Sequence, residues 1–379
     1  MINRQDDPLK NDSMRTTIYR KNFFGILRCK SLLLLSLFLS ITFLAQAKVF
    51  RLGFNHYYYS GKTIPGVDFN FNDYQSLYSA AKNGDTVQVY SLKGATSTLL
   101  SDFGTITKQL VWIYIGYLTS GTGSNKNLQV ITDDPPSVFN ISSDPGKSVF
   151  IGFNLKLQTT KCTGAIFRNC QVECLYQNTV LSGCKFSGCY NLQIYADTIG
   201  VNEGSNILIE NSVIKSAYLK NRCRGIIRNC IVNVLDARGC AVEIDNNIFY
   251  RTASPPYGPS INVFYDSLSR FENNLFELPE SSYSNMTGNN NLFAVNMDNV
   301  FVGGAYNAAR LYSDDERFRL KGGSPGIGAG LDGVDVGIFG GSYPYRLSGM
   351  APVPSTYKLG GSGQSKGNIF PFTFSARSN

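Results

Sequence analysis

Between Phe167 and Phe293 the chain keeps returning to one six-residue phrase: an apolar residue, a variable one, Asn, a small polar residue, and an apolar finish. The copies are Phe167-Arg168-Asn169-Cys170-Gln171-Val172, Leu181 to Phe186, Ile209 to Ile214, Ile227 to Val232, Ile244 to Phe249, Phe271 to Phe276, and a frayed Asn290-Asn291-Leu292-Phe293. Gly183 stands where the other copies have Asn169, Asn211, Asn229, Asn246, Asn273 and Asn290. Measured at the fourth residue the copies lie 14, 28, 18, 17, 27 and 17 residues apart, so the two long steps read as double periods with one degenerate copy each. A unit this short cannot bury its own apolar face. It must stack on the next, as one turn of a coil.

Stacking assigns each place in the phrase a role. Two apolar places point into the core. The Asn sits at a bend, where it tolerates the left-handed conformation and its amide can bond the equivalent amide one turn on, giving a structural ladder along the axis. The second place, held by Arg168, Glu210, Arg228, Asp245 and Glu272, should face solvent, with Glu210, Arg228 and Asp245 as neighbours of opposite sign.

Upstream, Tyr74, Leu77, Tyr78 and Ala81 share one helical face, with Asn72 or Asp73 as N-cap and Gly84 as the stop. Strands are expected at Lys48 to Leu52, Asp85 to Tyr90, Leu110 to Ile115, Leu128 to Thr132 and Ser148 to Leu157. A helix ahead of the first coil suits a solenoid, whose open end would otherwise expose core and unpaired strand. The repeat fades after Phe293, and Ile369 to Ser375 alternates as a last edge strand, limited by Pro371. The organisation expected is 1–47 as signal peptide, 48–84 as N-terminal cap, 85–345 as coils, and 346–379 as a tail with the final strand.

The signal rests on the apolar run Ser31 to Leu44, preceded by Lys21, Arg28 and Lys30 and followed by Ala45-Gln46-Ala47, which places cleavage after Ala47. The run is shorter than the ~20 residues that a membrane span needs, so the chain is expected outside the cell or at its surface and not membrane-spanning after cleavage. Without this segment 28 Lys and Arg stand against 24 Asp and Glu, a net charge of +4, which is too small an excess to mark a nucleic-acid partner. Eight cysteines remain. Stacked positions lie about 4.8 Å apart with parallel Cβ vectors, which favours thiols over bridges, with Cys174–Cys189 and Cys223–Cys240 as the pairs to test.

Three features carry a resemblance: the helix running into Gly84-Asp85-Thr86-Val87, the Asn-bearing phrases, and the ending Gly323-Ser324-Pro325-Gly326-Ile327-Gly328-Ala329-Gly330 with Asp335-Val336-Gly337. Over residues 72–341 the chain resembles a secreted bacterial right-handed parallel β-helix of the pectin-lyase-like class. The resemblance implies an all-β solenoid with three sheets per coil and, in the enzymes of the class, a saccharide groove along one sheet. It is specific for fold and weak for activity.

The polygalacturonase-like hydrolases of this class use a Gly-His-Gly, and the only histidine here is His56. The esterase motifs are absent as well. The lyases use an Arg or Lys base beside Ca²⁺ held by several carboxylates. Lys215, Lys220, Arg222, Arg224, Arg228 and Arg238 could supply the cation, but Asp197, Glu203, Glu210, Asp236 and Glu243 are dispersed. The reading preferred is a structural or glycan-binding β-helix with no catalytic residue, metal or cofactor, a polysaccharide as its partner, and Tyr218, Lys220, Arg222 and Arg224 as the contact surface. The alternative is a Ca²⁺-dependent lyase acting on an acidic polysaccharide. The oligomeric state is left open.

Overall fold

The computed structural model describes residues 47–52, 69–71, 74–89, 105–114, 138–174, 179–197, 206–220, 222–250, 262–264, 268–283, 286–305, 312–313, 315–347, 354–361 and 372–378. The expected signal segment, the N-cap at Asn72 or Asp73, the strand Leu128 to Thr132 and His56 lie outside them. The chain divides between Lys48 and Val49.

The second part is a parallel β-helix. One sheet begins Phe69–Phe71, Val49–Leu52, Thr86–Val89, Val111–Ile113 and continues coil by coil to Arg270–Glu272. A second runs from Val138–Ile141 through Asn154–Leu157, Gln171–Cys174, Tyr190–Asp197 and Val213–Lys220 to Leu275–Phe276. Every pairing within them is parallel among the described residues. A coil such as 224–236 carries three short strands, Arg224–Arg228, Ile231–Val232 and Val234–Asp236, and the second and third join one long sheet where Val213–Lys220 pairs with both.

Register explains the stacking. Phe50, Val87, Trp112, Phe150, Phe167, Phe186, Ile209, Ile227, Ile244 and Phe271 are successive partners in the first sheet, and all are fully buried. Opposite them run Leu192, Ile214, Val232, Phe249 and Phe276. From Phe167 on the first column is the first place of the phrase, and the second column is its sixth place except at Leu192, where the register shifts by one residue. Rings on adjacent rungs stack nearly parallel, Phe150 on Phe167 at 5.5 Å and Phe167 on Phe186 at 5.0 Å, close to the strand spacing itself.

Two sequence expectations need correction here. The rung after Phe167 is Phe186-Ser187-Gly188-Cys189, because Phe167 pairs with Phe186 and Arg168 with Ser187. Leu181-Ser182-Gly183-Cys184 instead continues Cys162-Thr163-Gly164 at an earlier bend. The 27-residue step is one coil with a long excursion, since Ile248 pairs directly with Leu275. The 28-residue step thus does hold a degenerate copy, Phe186 to Cys189 with Gly188 at the bend, whereas the 27-residue step holds none.

The cap helix is Tyr74–Ala80, with Leu77 buried and Tyr74 stacked on Trp112 at 6.0 Å, so it covers the first coils as its apolar face predicts. At the other end the expected edge strand is Phe372–Ser378. It pairs antiparallel with Pro354–Gly361 as a separate two-stranded sheet and is not added to the edge of a coil. All eight described cysteines are buried. Cys223 and Cys240 are rung neighbours, whereas Cys189 pairs with Cys170 and Cys174 with Leu157.

Candidate functional site

Strand alternation turns Gln193, Tyr195, Ser216, Tyr218, Lys220 and Asp236 outward on the second sheet, between the inward residues Ile194, Ala217, Leu219 and Leu235. Tyr195, Tyr218 and Asp236 are consecutive partners across three strands. The two rings stack at 4.8 Å and 10°. Each thereby spends one face on the other, so solvent meets ring edges and phenol oxygens more than open faces.

Asp236 is only 2% exposed although it points outward. A buried carboxylate needs partners, and it has them. Arg238 grips it with a two-pronged fork, Nε to Oδ1 at 2.9 Å and Nη2 to Oδ2 at 2.7 Å, and Lys220 Nζ lies 3.9 Å from Oδ2. Hydrogen bonding to Asp236 holds the Arg238 guanidinium above its ordinary pKa. Burial, with Tyr195 and Asp236 nearby, raises the Tyr218 phenol.

The predicted contact residues straddle a bend. Tyr218 and Lys220 close the strand Val213–Lys220, Arg222 sits in the turn with φ of 70°, and Arg224 opens Arg224–Arg228 on the first sheet. Arg222 donates its backbone N–H to Gly239 O at 2.8 Å. Both arginine side chains are exposed, and neither has a carboxylate partner among the described residues. The convergence of Tyr195, Asp236 and Arg238 on Tyr218 and Lys220 is not visible in linear order. Its only sequence signals are the one-period gap from Lys220 to Asp236 and the two-residue gap to Arg238.

A second charged column lies on the first sheet. Ser187, Glu210, Arg228, Asp245 and Glu272 follow one another in register. Glu210, expected at the surface, is buried; it accepts from Ser187 Oγ at 2.8 Å and Arg228 Nη2 at 2.7 Å. Glu272 pairs with Arg270. Burial first, then Glu272 and Glu243, push the Asp245 carboxyl up to about 6, against the opposing pull of Arg270 and Arg228.

The Asn places divide into two sets. Every described third-place Asn of the phrase has positive φ, from 48° at Asn211 to 58° at Asn246 and Asn290, as the bend requires. The amide ladder falls one residue later. Asn247 Nδ2 donates to Asn274 Oδ1 at 3.1 Å, and Asn274 Nδ2 to Asn291 Oδ1 at 3.0 Å. The third-place side chains reach elsewhere: Asn211 Nδ2 donates to Ile338 O and Gly340 O, Asn229 Nδ2 to Asp335 O, and Asn246 Oδ1 accepts from Leu331 N–H. Together they grip a C-terminal strap that runs across the coils. Asn169 Oδ1 lies close over Gly188 of the next rung.

The Ca²⁺ site implied by the lyase resemblance does not fit these residues. Asp236 and Glu243 stand on different sheets, Asp236 and Glu210 are already bound to cations, and Glu203 and the Asp197 side chain lie outside the described residues. No three His, Cys, Asp or Glu side chains among the described residues converge to hold a metal. No described helix is long and apolar enough to cross a membrane. The chain matches no family model, no curated protein and no solved structure.

Proposed function

We propose that the chain is an exported β-helix that holds an acidic polysaccharide against the bend between its two sheets, through Tyr218, Lys220, Arg222 and Arg224. The observation that carries this reading is a charge imbalance. Asp236 is buried and satisfied, while Arg222 and Arg224 stay exposed with no described carboxylate partner. An uncompensated pair of guanidiniums beside phenol edges suits a carboxylate- or sulfate-bearing sugar, which guanidinium binds through paired hydrogen bonds. The Tyr195–Tyr218 stack adds hydroxyls and apolar ring edge, so charge supplies most of the attraction and stacking less. Export rests on residues 31–47, and places the surface where such polymers occur.

Retention on insoluble acidic and neutral polysaccharides tests this. The chain should be held by the acidic polymer, released by salt, and weakened when Arg222 and Arg224 are both changed to Ala; retention equal to the parent would remove the surface. Uronate polymers incubated with the protein should give no absorbance from unsaturated ends, with or without chelator. N-terminal sequencing of protein recovered from outside the producing cell should begin at Lys48.

A further inference from the structure

We propose that Cys162 and Cys184 form a disulfide joining adjacent coils. Cys170 with Cys189, and Cys223 with Cys240, are rung partners on parallel strands, and the Cys223 and Cys240 thiols also meet within hydrogen-bond reach. Cys162 and Cys184 are not rung partners. Cys162 pairs across the sheet with Leu181, and Ser182 with Thr163, which leaves Cys184 beyond the bend. Gly164 and Gly183 turn that bend, with φ of 70° and 67°. The two side chains therefore enter the core from opposite sides of the bend and meet, Sγ to Sγ at 3.3 Å. A disulfide needs about 2 Å between sulfurs, so bond formation draws the two side chains together from this contact.

The oxidant is a disulfide compound, either a small-molecule disulfide or a thiol-exchange protein of an oxidising compartment. One cysteine thiolate attacks the oxidant and expels one thiolate. The second then attacks the protein sulfur of the mixed disulfide and expels the other; the two protons lost by Cys162 and Cys184 end on the two reduced thiols. Both side chains are almost wholly buried, and the hydrogen bond between them, followed by burial, holds the Cys162 thiol well above its usual range. Exchange therefore precedes closure of the coil, and the finished bond is shielded from reductant. In a solenoid whose coils touch only their neighbours, the link pins one interface covalently and stops fraying from passing it.

The proposal is independent of glycan binding and takes from export only the compartment where the oxidant is met. The reduced, unfolded full chain is refolded in a glutathione and glutathione disulfide buffer, trapped with N-ethylmaleimide in denaturant, and digested without reductant. A peptide linking Cys162 to Cys184 is expected, and the urea midpoint should fall when a phosphine reductant is present during unfolding. The Cys184→Ser variant should lose both the peptide and the reductant effect while keeping its β-type circular dichroism. The same peptide is sought in chain expressed in an oxidising compartment and trapped before purification, which covers failure to refold. Maleimide on both Cys162 and Cys184 in either preparation, or a link dominated by another pair, would overturn the proposal.

Discussion

Asn273 and Asn274 adjoin in sequence and do different work. Asn273 turns the backbone at φ of 54°. Asn274, fully buried, accepts from Asn247 N–H at 2.8 Å and donates to Ile244 O at 2.7 Å. Replacing Asn274 by Ala strands both groups in the core and should cost about 2–3 kcal/mol. Asn273→Gly keeps the left-handed bend and should cost well under ~1 kcal/mol. Urea midpoints of the two variants separate the roles; equal losses would contradict the division. Asp245 gives a pH-dependent case. Its folded pKa, raised to about 6, lies above the ordinary carboxylate value. Between about pH 4 and 6 the folded chain holds a proton that the unfolded chain has released, so this group's contribution falls as pH rises through that window and is flat above it. Asp245→Asn should flatten that slope and raise stability near neutral pH by on the order of 1 kcal/mol, allowing for solvent screening of a partly exposed group. Midpoints measured across the window, variant against parent, check the sign.

The strap from Leu331 to Tyr345 is held by more than its amide grips. The fifth place of the phrase, read only as part of an apolar finish, points out of the coil and places Val213, Ile231, Ile248 and Leu275 in an outward column. Val336, Ile338 and Tyr345 pack over that column as a second core, and all are buried. Ile338→Ala removes a side chain buried there and should cost about 2–4 kcal/mol, read from the urea midpoint. A cost near zero would mean that the strap lies loosely on the coil. This element shows where the sequence is silent. Inward columns were legible because Phe167, Ile209, Ile227 and Ile244 recur at coil spacing, and so was the bend, because Asn tolerates positive φ. What covers Ile231 was not legible, since the strap lies about a hundred residues away and carries no period. Leu181-Ser182-Gly183-Cys184 misled for a related reason. Gly183 and Gly188 both turn bends, at φ of 67° and 63°, and only strand pairing tells which bend belongs to which column. Nor could spacing distinguish the first from the second Asn of a doublet, because one bends the chain and the other faces inward.

A solenoid is held by contacts between neighbouring coils, so each interface can open with little help from distant ones. The strap changes that for part of the stack. From Leu331 to Gly340 it touches Asn246, Asn229 and Asn211 in turn, three successive coils running back towards the N-terminus, and it lays Ile338 against the column that joins them. It therefore couples the strands Asn206–Glu210, Arg224–Arg228 and Ala241–Asp245 into one opening unit. Upstream coils such as Ile166–Arg168 rest on their own stacked rings and on the bend at Gly164. Native-state hydrogen exchange on Ile338→Ala should show the consequence. Amides of the three strapped strands should lose protection together and by a similar factor, while those of Ile166–Arg168 keep the parent value, because local opening follows the free energy of the unit that opens. A uniform loss along the whole chain would mean that the molecule opens only as one block. Loss confined to the rung nearest Ile338 would mean that the strap covers the coils without coupling them.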